Sequence, residues 1–431
     1  MLTLPLPLGE TLSGLRQGGE ALERHIHAVC DRIDHIESEV QALIPEVGKR
    51  ERLLEEAKEL EERFPDPPTR PALFGALIGV KDIFHADGFT TRAGTRLPPA
   101  LFAGAEADCV QLLRRSGALL LGKTATTEFA YFEPGPTRNP HNPGHTPGGS
   151  SSGSAAAIAA GFCPLSLGTQ TIGSVIRPAA FCGVVGFKPS FGRMPTGGLV
   201  HYSKSVDQVG VFTWDVVGQE RAASVLCRDW RERTPSNRAV LGVPEGAYLQ
   251  QAEASGLEAF AAHREKLEEA GYEIRPLAVL DDIALINERH RLLAAAEMAR
   301  EHSPWFAEHE ALYRPRTAEL IREGREIQED LVLQGRRGIG ELRRELEWLM
   351  RRHGIDIWIC PAAPGPAPAG LESTGDPVMN LPWTHAGLPV LSLPAGKAAN
   401  GMPLGLQCVA GFMRDEALLA WGRGLAEVLQ V

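Results

Sequence analysis

Residues 146–161 read TPGGSSSGSAAAIAAG, and residues 168–178 read GTQTIGSVIRP. Three serines stand in a row at 150–152 inside a glycine cluster, and a solitary serine follows at 174. A flexible linker is the first reading of such a stretch. Ile, Val, Phe and Cys are interleaved through 150–210, however, and charges are few, which suits a buried segment. AAAIAAGFCPLSLGTQT (155–171) reads as a helix followed by a strand, and small side chains there let backbones approach closely. A phosphate cradle needs G-x-x-x-x-G-K-[ST], and no lysine follows Gly148, Gly149 or Gly153 at that spacing. GSSSG (149–153) matches an esterase-type nucleophile elbow, with Ser151 central. That architecture needs a strand leading in, whereas TRNPHNPGHTPG (137–148) is loop-like; the later His201, His263 and His385 sit in no distinctive context.

Working outward, LFGALIGV (73–80) is an apolar run fit for a buried strand, and Lys81 follows it directly. A lysine at the inner end of such a strand is desolvated, which favours its neutral form and makes it a base for a serine hydroxyl. A lone lysine there can equally snorkel to solvent or pair with Asp82. ADCVQLLRRSGALLLGKT (107–124) reads as helix, glycine break and strand, and the alternation to about residue 216 predicts an α/β sheet. Residues 17–64 carry two or three amphipathic helices, ended by Pro65, Pro67 and Pro68. A strand at AVLGVPEG (239–246) precedes a helix at 255–270, and long charged helices fill 286–353. IDIWICPAAPGPAP (355–368), GLPVLSLPAG (387–396) and LGLQCV (404–409) return to buried strands, and 415–430 is a closing helix. Apolar strands on both sides of 217–353 predict one domain over 1–431. Its parts are N-terminal helices (17–64), a serine-bearing core (70–215), a variable helical region (217–360) and a C-terminal return to the core sheet (361–431).

The chain has 431 residues, 43% of them hydrophobic and 23% charged, as in ordinary soluble globular proteins. A net charge of −10 argues against nucleic acid or an anionic membrane surface as partner. Seven dispersed cysteines without C-x-x-C spacing predict reduced thiols in a cytoplasmic protein, with neither a zinc site nor a redox pair. MLTLPLPLGETL lacks an early positive charge and is broken by prolines, unlike a signal peptide. The apolar runs are too short to span a membrane.

GVKD (79–82), the serine-rich stretch, GTQTIGSVIRPAAFCGVVGFKPSFGRMPTGG (168–198) and PVMNLPWTHAGLPVLSLPAG (377–396) together resemble the amidase signature hydrolases. The resemblance covers residues 70–215 densely. It implies a single large α/β/α domain, a mixed twisted sheet covered by helices. It also implies an amidase that hydrolyses the C–N bond of linear amides through a serine acyl-enzyme, with side activity on esters, anilides or carbamates. By position, Lys81 is the base, Ser150 the bridging serine on a cis peptide after Gly149, and Ser174 the nucleophile. The separations of 69 and 24 residues fit the family. A serine hydroxyl is a weak nucleophile, so neutral Lys81, acting through Ser150, would take the proton from Ser174. Ser150 would then hand it to the leaving amine. The backbone N–H groups of Thr171, Ile172, Gly173 and Ser174 would form the oxyanion hole. Ser151, Ser152 and Ser154 are expected to pack rather than react.

Three departures from the family pattern stand out: Gln170 replaces an aspartate, Ile172 replaces a glycine, and Arg177 lies three rather than two residues after the nucleophile. That offset resembles a malonamidase-like branch in which the arginine grips a substrate carboxylate, a bidentate task suited to arginine; a structural ion pair is the alternative. Tyr131 and Trp383 are either pocket walls or core. The resemblance implies a small-molecule amide substrate, no cofactor, no metal and, since members are often dimers, a homodimer. Two other readings are a glutaminase-type component of an amidotransferase and a non-enzymatic scaffold on the same fold. The shorter chain and the altered GTQTIGS weigh against the first, and the complete triad against the second.

Overall fold

The apolar run before Lys81 extends only from Leu77, forming β1 (Leu77–Lys81), because residues 73–76 turn into it. In the computed structural model, which describes residues 2–17, 21–233, 235 and 237–429, nine further strands join β1 in one mixed sheet. They are β2 (Leu119–Thr124), β3 (Leu165–Gln170), β4 (Val185–Lys188), β5 (Gln208–Thr213), β6 (Leu241–Glu245), β7 (Ile274–Ala278), β8 (Ile357–Pro361), β9 (Val390–Lys397) and β10 (Pro403–Ala410). The order is β2-β1-β3-β5-β4-β9-β10-β8-β6-β7. Pairing is parallel at the two ends, β2-β1-β3 and β8-β6-β7, and antiparallel between them.

Successive residues of a strand point to opposite faces, and here both faces are covered. Leu119 and Leu121 of β2 enter one apolar core while Leu120 enters the other. Leu77 of β1 likewise faces away from Ile78 and Val80. This two-sided burial explains why the central strands read as continuous apolar runs. Helices Leu22–Val40 and Ser152–Ala159 cover one face, and Asp108–Arg115 and Val216–Leu226 the other. The helix Lys49–Arg63 stops short of Pro65, as the sequence suggests. No helix among the described residues is long and apolar enough to cross a membrane.

The region 217–360 is more than a helical insertion. It contributes β6, β7 and β8 to the sheet, beside the helices Ile283–His309, Pro315–Glu326 and Glu329–His353. Sequence reading misses β7 because this edge strand is largely solvated and carries Arg275 and Pro276, residues typical of sheet edges.

Parallel pairing of β1 with β3 aligns Val80 with Leu167, so the strands deliver Lys81 and Thr169 to the same sheet end. The helix Ser152–Ala159 starts close to the chain leaving β2. A Cβ on Gly153 would stand 2.2 Å from the Ala42 carbonyl oxygen and 2.3 Å from Ala125 N. Gly153→Ala is therefore expected to destabilise by about 1–3 kcal/mol in chemical denaturation, through overpacking against backbone. Gly340, in the helix Glu329–His353, has its nearest such neighbour at 3.6 Å. Gly340→Ala should instead stabilise by about 0.5–1 kcal/mol. Equal effects at the two positions would contradict this packing.

Candidate active site

Lys81 is fully buried. Its Nζ lies 2.7 Å from Ser150 Oγ and 2.8 Å from Thr169 Oγ1. No carboxylate among the described residues is within ion-pair distance of it. Asp82, one residue on and so on the opposite face, pairs instead with buried Lys123 at 2.9 Å. Burial pushes the Lys81 pKa down to about 7, against a weaker opposing pull from Asp207. The group is held in polar hydroxyl contacts with no fixed counter-charge, so the neutral amine is accessible near neutrality.

The serine run divides by role. The Gly149–Ser150 peptide is cis, and Ser150 alone of the run reaches Lys81. Ser151 Oγ donates to the Thr169 carbonyl at 3.2 Å and accepts from Thr169 N at 3.3 Å, tying the run to β3. Ser152 Oγ donates to the Ala125 carbonyl, and Ser154 Oγ to that of Leu167. These three buried hydroxyls tie the start of the helix to β3 and to the chain leaving β2. The elbow reading of Ser151 is thereby excluded.

Ser150 and Ser174 line the same narrow cavity, together with Thr171, Ile172 and Gly173. Tyr131, Phe132, Tyr202 and Pro377 wall it, and Arg177 reaches it. Ser174 stands in the turn between β3 and the helix Ile176–Cys182. Gln170, at the end of β3, accepts from Val175 N at 2.8 Å and Ile176 N at 3.0 Å through Oε1, satisfying donors at that helix start. Thr171 Oγ1 donates to Asp207 Oδ1 at 2.6 Å. Asp207 Oδ2 accepts from Tyr202 N, Ser203 N and, at 3.1 Å, from the His201 ring, so one carboxylate joins the turn to the cavity wall.

The structure thus brings Lys81, Ser150, Ser174, the 171–174 turn, Tyr131 and Arg177 to one place. Trp383 is elsewhere: it is fully buried, with Nε1 donating to Tyr248 Oη at 2.8 Å and its ring beside Trp358. Arg177 is a strap rather than half of an ion pair. Its Nη2 donates to the Gly149 carbonyl at 2.7 Å and to Thr374 Oγ1 at 3.2 Å, and its Nη1 to the Gly375 carbonyl at 2.8 Å. It therefore grips the residue preceding Ser150. Burial lowers its pKa to about 10, with Asp376 pulling the other way.

Sequence reading missed Thr169, Asp207, Tyr202, Thr374 and Pro377 as parts of the site. Thr169 is signalled only by its register in β3 beside Lys81. Asp207 lies far along the chain and has no local motif. Among the described residues no group of three or more His, Cys, Asp or Glu side chains is arranged to hold a metal ion.

The family model for amidases matches residues 24–419. The A component of glutamyl-tRNA(Gln) amidotransferase from Synechococcus sp. (strain RCC307) is 30% identical over 471 aligned positions, covering 96% of this chain and 95% of its own length. The protein of that description from Oleidesulfovibrio alaskensis is 33% identical, with 96% and 94% covered. A solved structure described as an amidase superimposes with a TM-score of 0.87 at 31% identity, covering 98% of this chain and 99% of its own. One protein of a vestigial complex, described as revealing the evolutionary origins of an s-triazine catabolic enzyme, gives 0.87 at 28% identity, with 98% of each chain covered. With a matching family model across most of its length and an amidase fold around the lysine and serines, the chain belongs to the amidase signature family, whose enzymes hydrolyse C–N bonds.

Proposed function

We propose that this protein is a serine amidase that cleaves a linear carboxylic amide to carboxylate and amine through an acyl-enzyme on Ser174. The observation that carries the reading is Lys81 Nζ, buried and 2.7 Å from Ser150 Oγ, beside the cavity that Ser150 shares with Ser174. Protonated, the ammonium donates to Ser150; neutral, its lone pair accepts the Ser150 proton. Ser150 in turn takes the proton of Ser174 as Oγ bonds to the amide carbonyl carbon. The carbonyl oxygen becomes an oxyanion facing the N–H groups of residues 171–174. Collapse breaks the C–N bond, Ser150 protonates the leaving nitrogen, and Lys81 returns its proton to Ser150. Water then repeats the cycle on the acyl-enzyme, restoring Ser174 and releasing the carboxylate. Esters, anilides and carbamates would pass through the same oxyanion.

Arg177 is proposed as a substrate contact at the cavity wall in addition to its strap on Gly149. A cation there with no ion-pair partner among the described residues favours an acyl group that carries a carboxylate, as in the malonamidase-like branch. A second reading, a glutaminase-type component of an amidotransferase, is favoured by the full-length similarity to the amidotransferase proteins. Glutamine hydrolysis that appears only when co-purifying partner proteins are present would select it over the free amidase.

Ser174→Ala should lower kcat/KM on the best amide of a panel by at least about 10³-fold and abolish labelling by a sulfonyl fluoride. Full activity in that variant would end the acyl-enzyme reading. The pH profile follows from Lys81. Below its pKa of about 7 the group is protonated and cannot serve as base, so kcat/KM should fall about tenfold per pH unit there and level off above. A rate constant that is flat down to pH 5 would contradict Lys81 as the base.

A further inference from the structure

The 171–174 turn is held from behind by a segment about half the chain away, 212 residues on from Ile172. Thr384 lies in the short helix Leu381–His385, and both it and Gln170 are buried. Gln170 Oε1 already faces two backbone donors, Val175 N and Ile176 N. Its Nε2 must therefore point the other way, and there it donates to Thr384 Oγ1 at 2.9 Å. With one lone pair so engaged, the Thr384 hydroxyl has a single proton to give. The Ile172 carbonyl oxygen is 2.6 Å away, and the alternative, the Asn380 carbonyl, is 3.1 Å away.

The Ile172–Gly173 peptide is planar and trans, so its C=O and N–H point in opposite directions. Drawing the Ile172 oxygen back to Thr384 turns the Gly173 N–H forward, on the side of the cavity that Ile172, Gly173 and Ser174 line. Asn380 crowds the same peptide. Its Nδ2 donates to the Ala362 carbonyl and to Gln407 Oε1, which leaves Oδ1 against Gly173. A Cβ at 173 would come within 2.3 Å of that oxygen.

We propose that Thr384, oriented by Gln170, is a positioning residue that aims the Gly173 N–H at the oxyanion of the reaction; this rests on the reading of Ser174 as nucleophile. It also gives a purpose to one departure from the family pattern. An aspartate at 170 is acceptor-only when ionised and has no proton for Thr384, whereas glutamine both caps the helix start and orients the hydroxyl.

The test uses the whole chain, with p-nitrophenyl butyrate as substrate and phenylboronic acid as a mimic of the tetrahedral oxyanion. Thr384→Val keeps shape and removes the hydroxyl. It should lower kcat by about 10- to 100-fold and weaken the boronate by a similar factor, with KM changed less than about threefold. Thr384→Ser should restore both. Folding is checked by thermal melting. If the valine variant does not fold, Gln170→Glu carries the test, because it keeps the caps and removes the donor; a loss of about tenfold in kcat at unchanged KM is expected. A folded Thr384→Val or Gln170→Glu protein with wild-type kcat and boronate affinity would overturn the proposal. So would a serine variant as impaired as the valine one. Undiminished activity of Ser174→Ala would instead overturn the amidase reading, whatever the Thr384 variants show.

Discussion

Everything at this site hangs on one desolvated amine. Lys81 sits at the end of a strand with both sheet faces covered, where water cannot reach to solvate an ammonium. Two hydroxyls, Ser150 Oγ and Thr169 Oγ1, replace that water. An aspartate in contact would have kept the lysine charged. The fold prevents this by the pleat alone: the carboxylate next in sequence is turned to the other face, where Lys123 neutralises it. Parallel pairing then brings the ends of β1 and β3 together, and Ser150, in contact with Lys81, lines the cavity that Ser174 also lines.

Much of this was legible in the chain, and the reason is local. A lysine directly after an apolar run, a serine after paired glycines and a serine in a glycine turn are short-range features, and their spacing carries the resemblance. The helix at 152–159 and β3 follow from composition and periodicity. The rest was hidden because its determinants are non-local. Arg177 reads in sequence as a carboxylate ligand or half of an ion pair, and no local signal shows its bonds to three neutral oxygens, one of them from the residue before Ser150. Asp207 and Thr384 belong to the site only because the sheet order folds 201–213 and 374–397 back onto β3 and β4. β7 escaped notice since this edge strand is only partly buried and interrupts its apolar residues with Arg275 and Pro276.

The departures from the family pattern become coherent once placed in space. Gln170 is longer than an aspartate and bifunctional, so it both satisfies the helix start and extends to the C-terminal segment. Ile172 contributes its backbone oxygen to that same joint while its side chain borders the cavity. The site is thus a composite of strand ends and a distant helix, and the variable helices 283–353 pack around its rim through Glu297, which binds Ser203 and Ser205 beside Tyr202.

A buried amine also couples chemistry to the folding equilibrium. Lys188, at the end of β4, shares the condition of Lys81: it is wholly buried, bonded to Gln208 Oε1 at 2.7 Å, and burial lowers its pKa to about 7. On unfolding, both amines regain the ordinary lysine value of about 10.5. Between pH 7 and 10.5 the unfolded chain therefore holds more protons than the folded one, and the contribution of these two groups to stability grows as pH rises across that interval. Below pH 7 the disadvantage is fully present and no longer changes with pH. The same desolvation that favours the neutral amine of Lys81 thus makes these two lysines oppose folding least above about pH 10.5, where they are neutral in the unfolded chain as well.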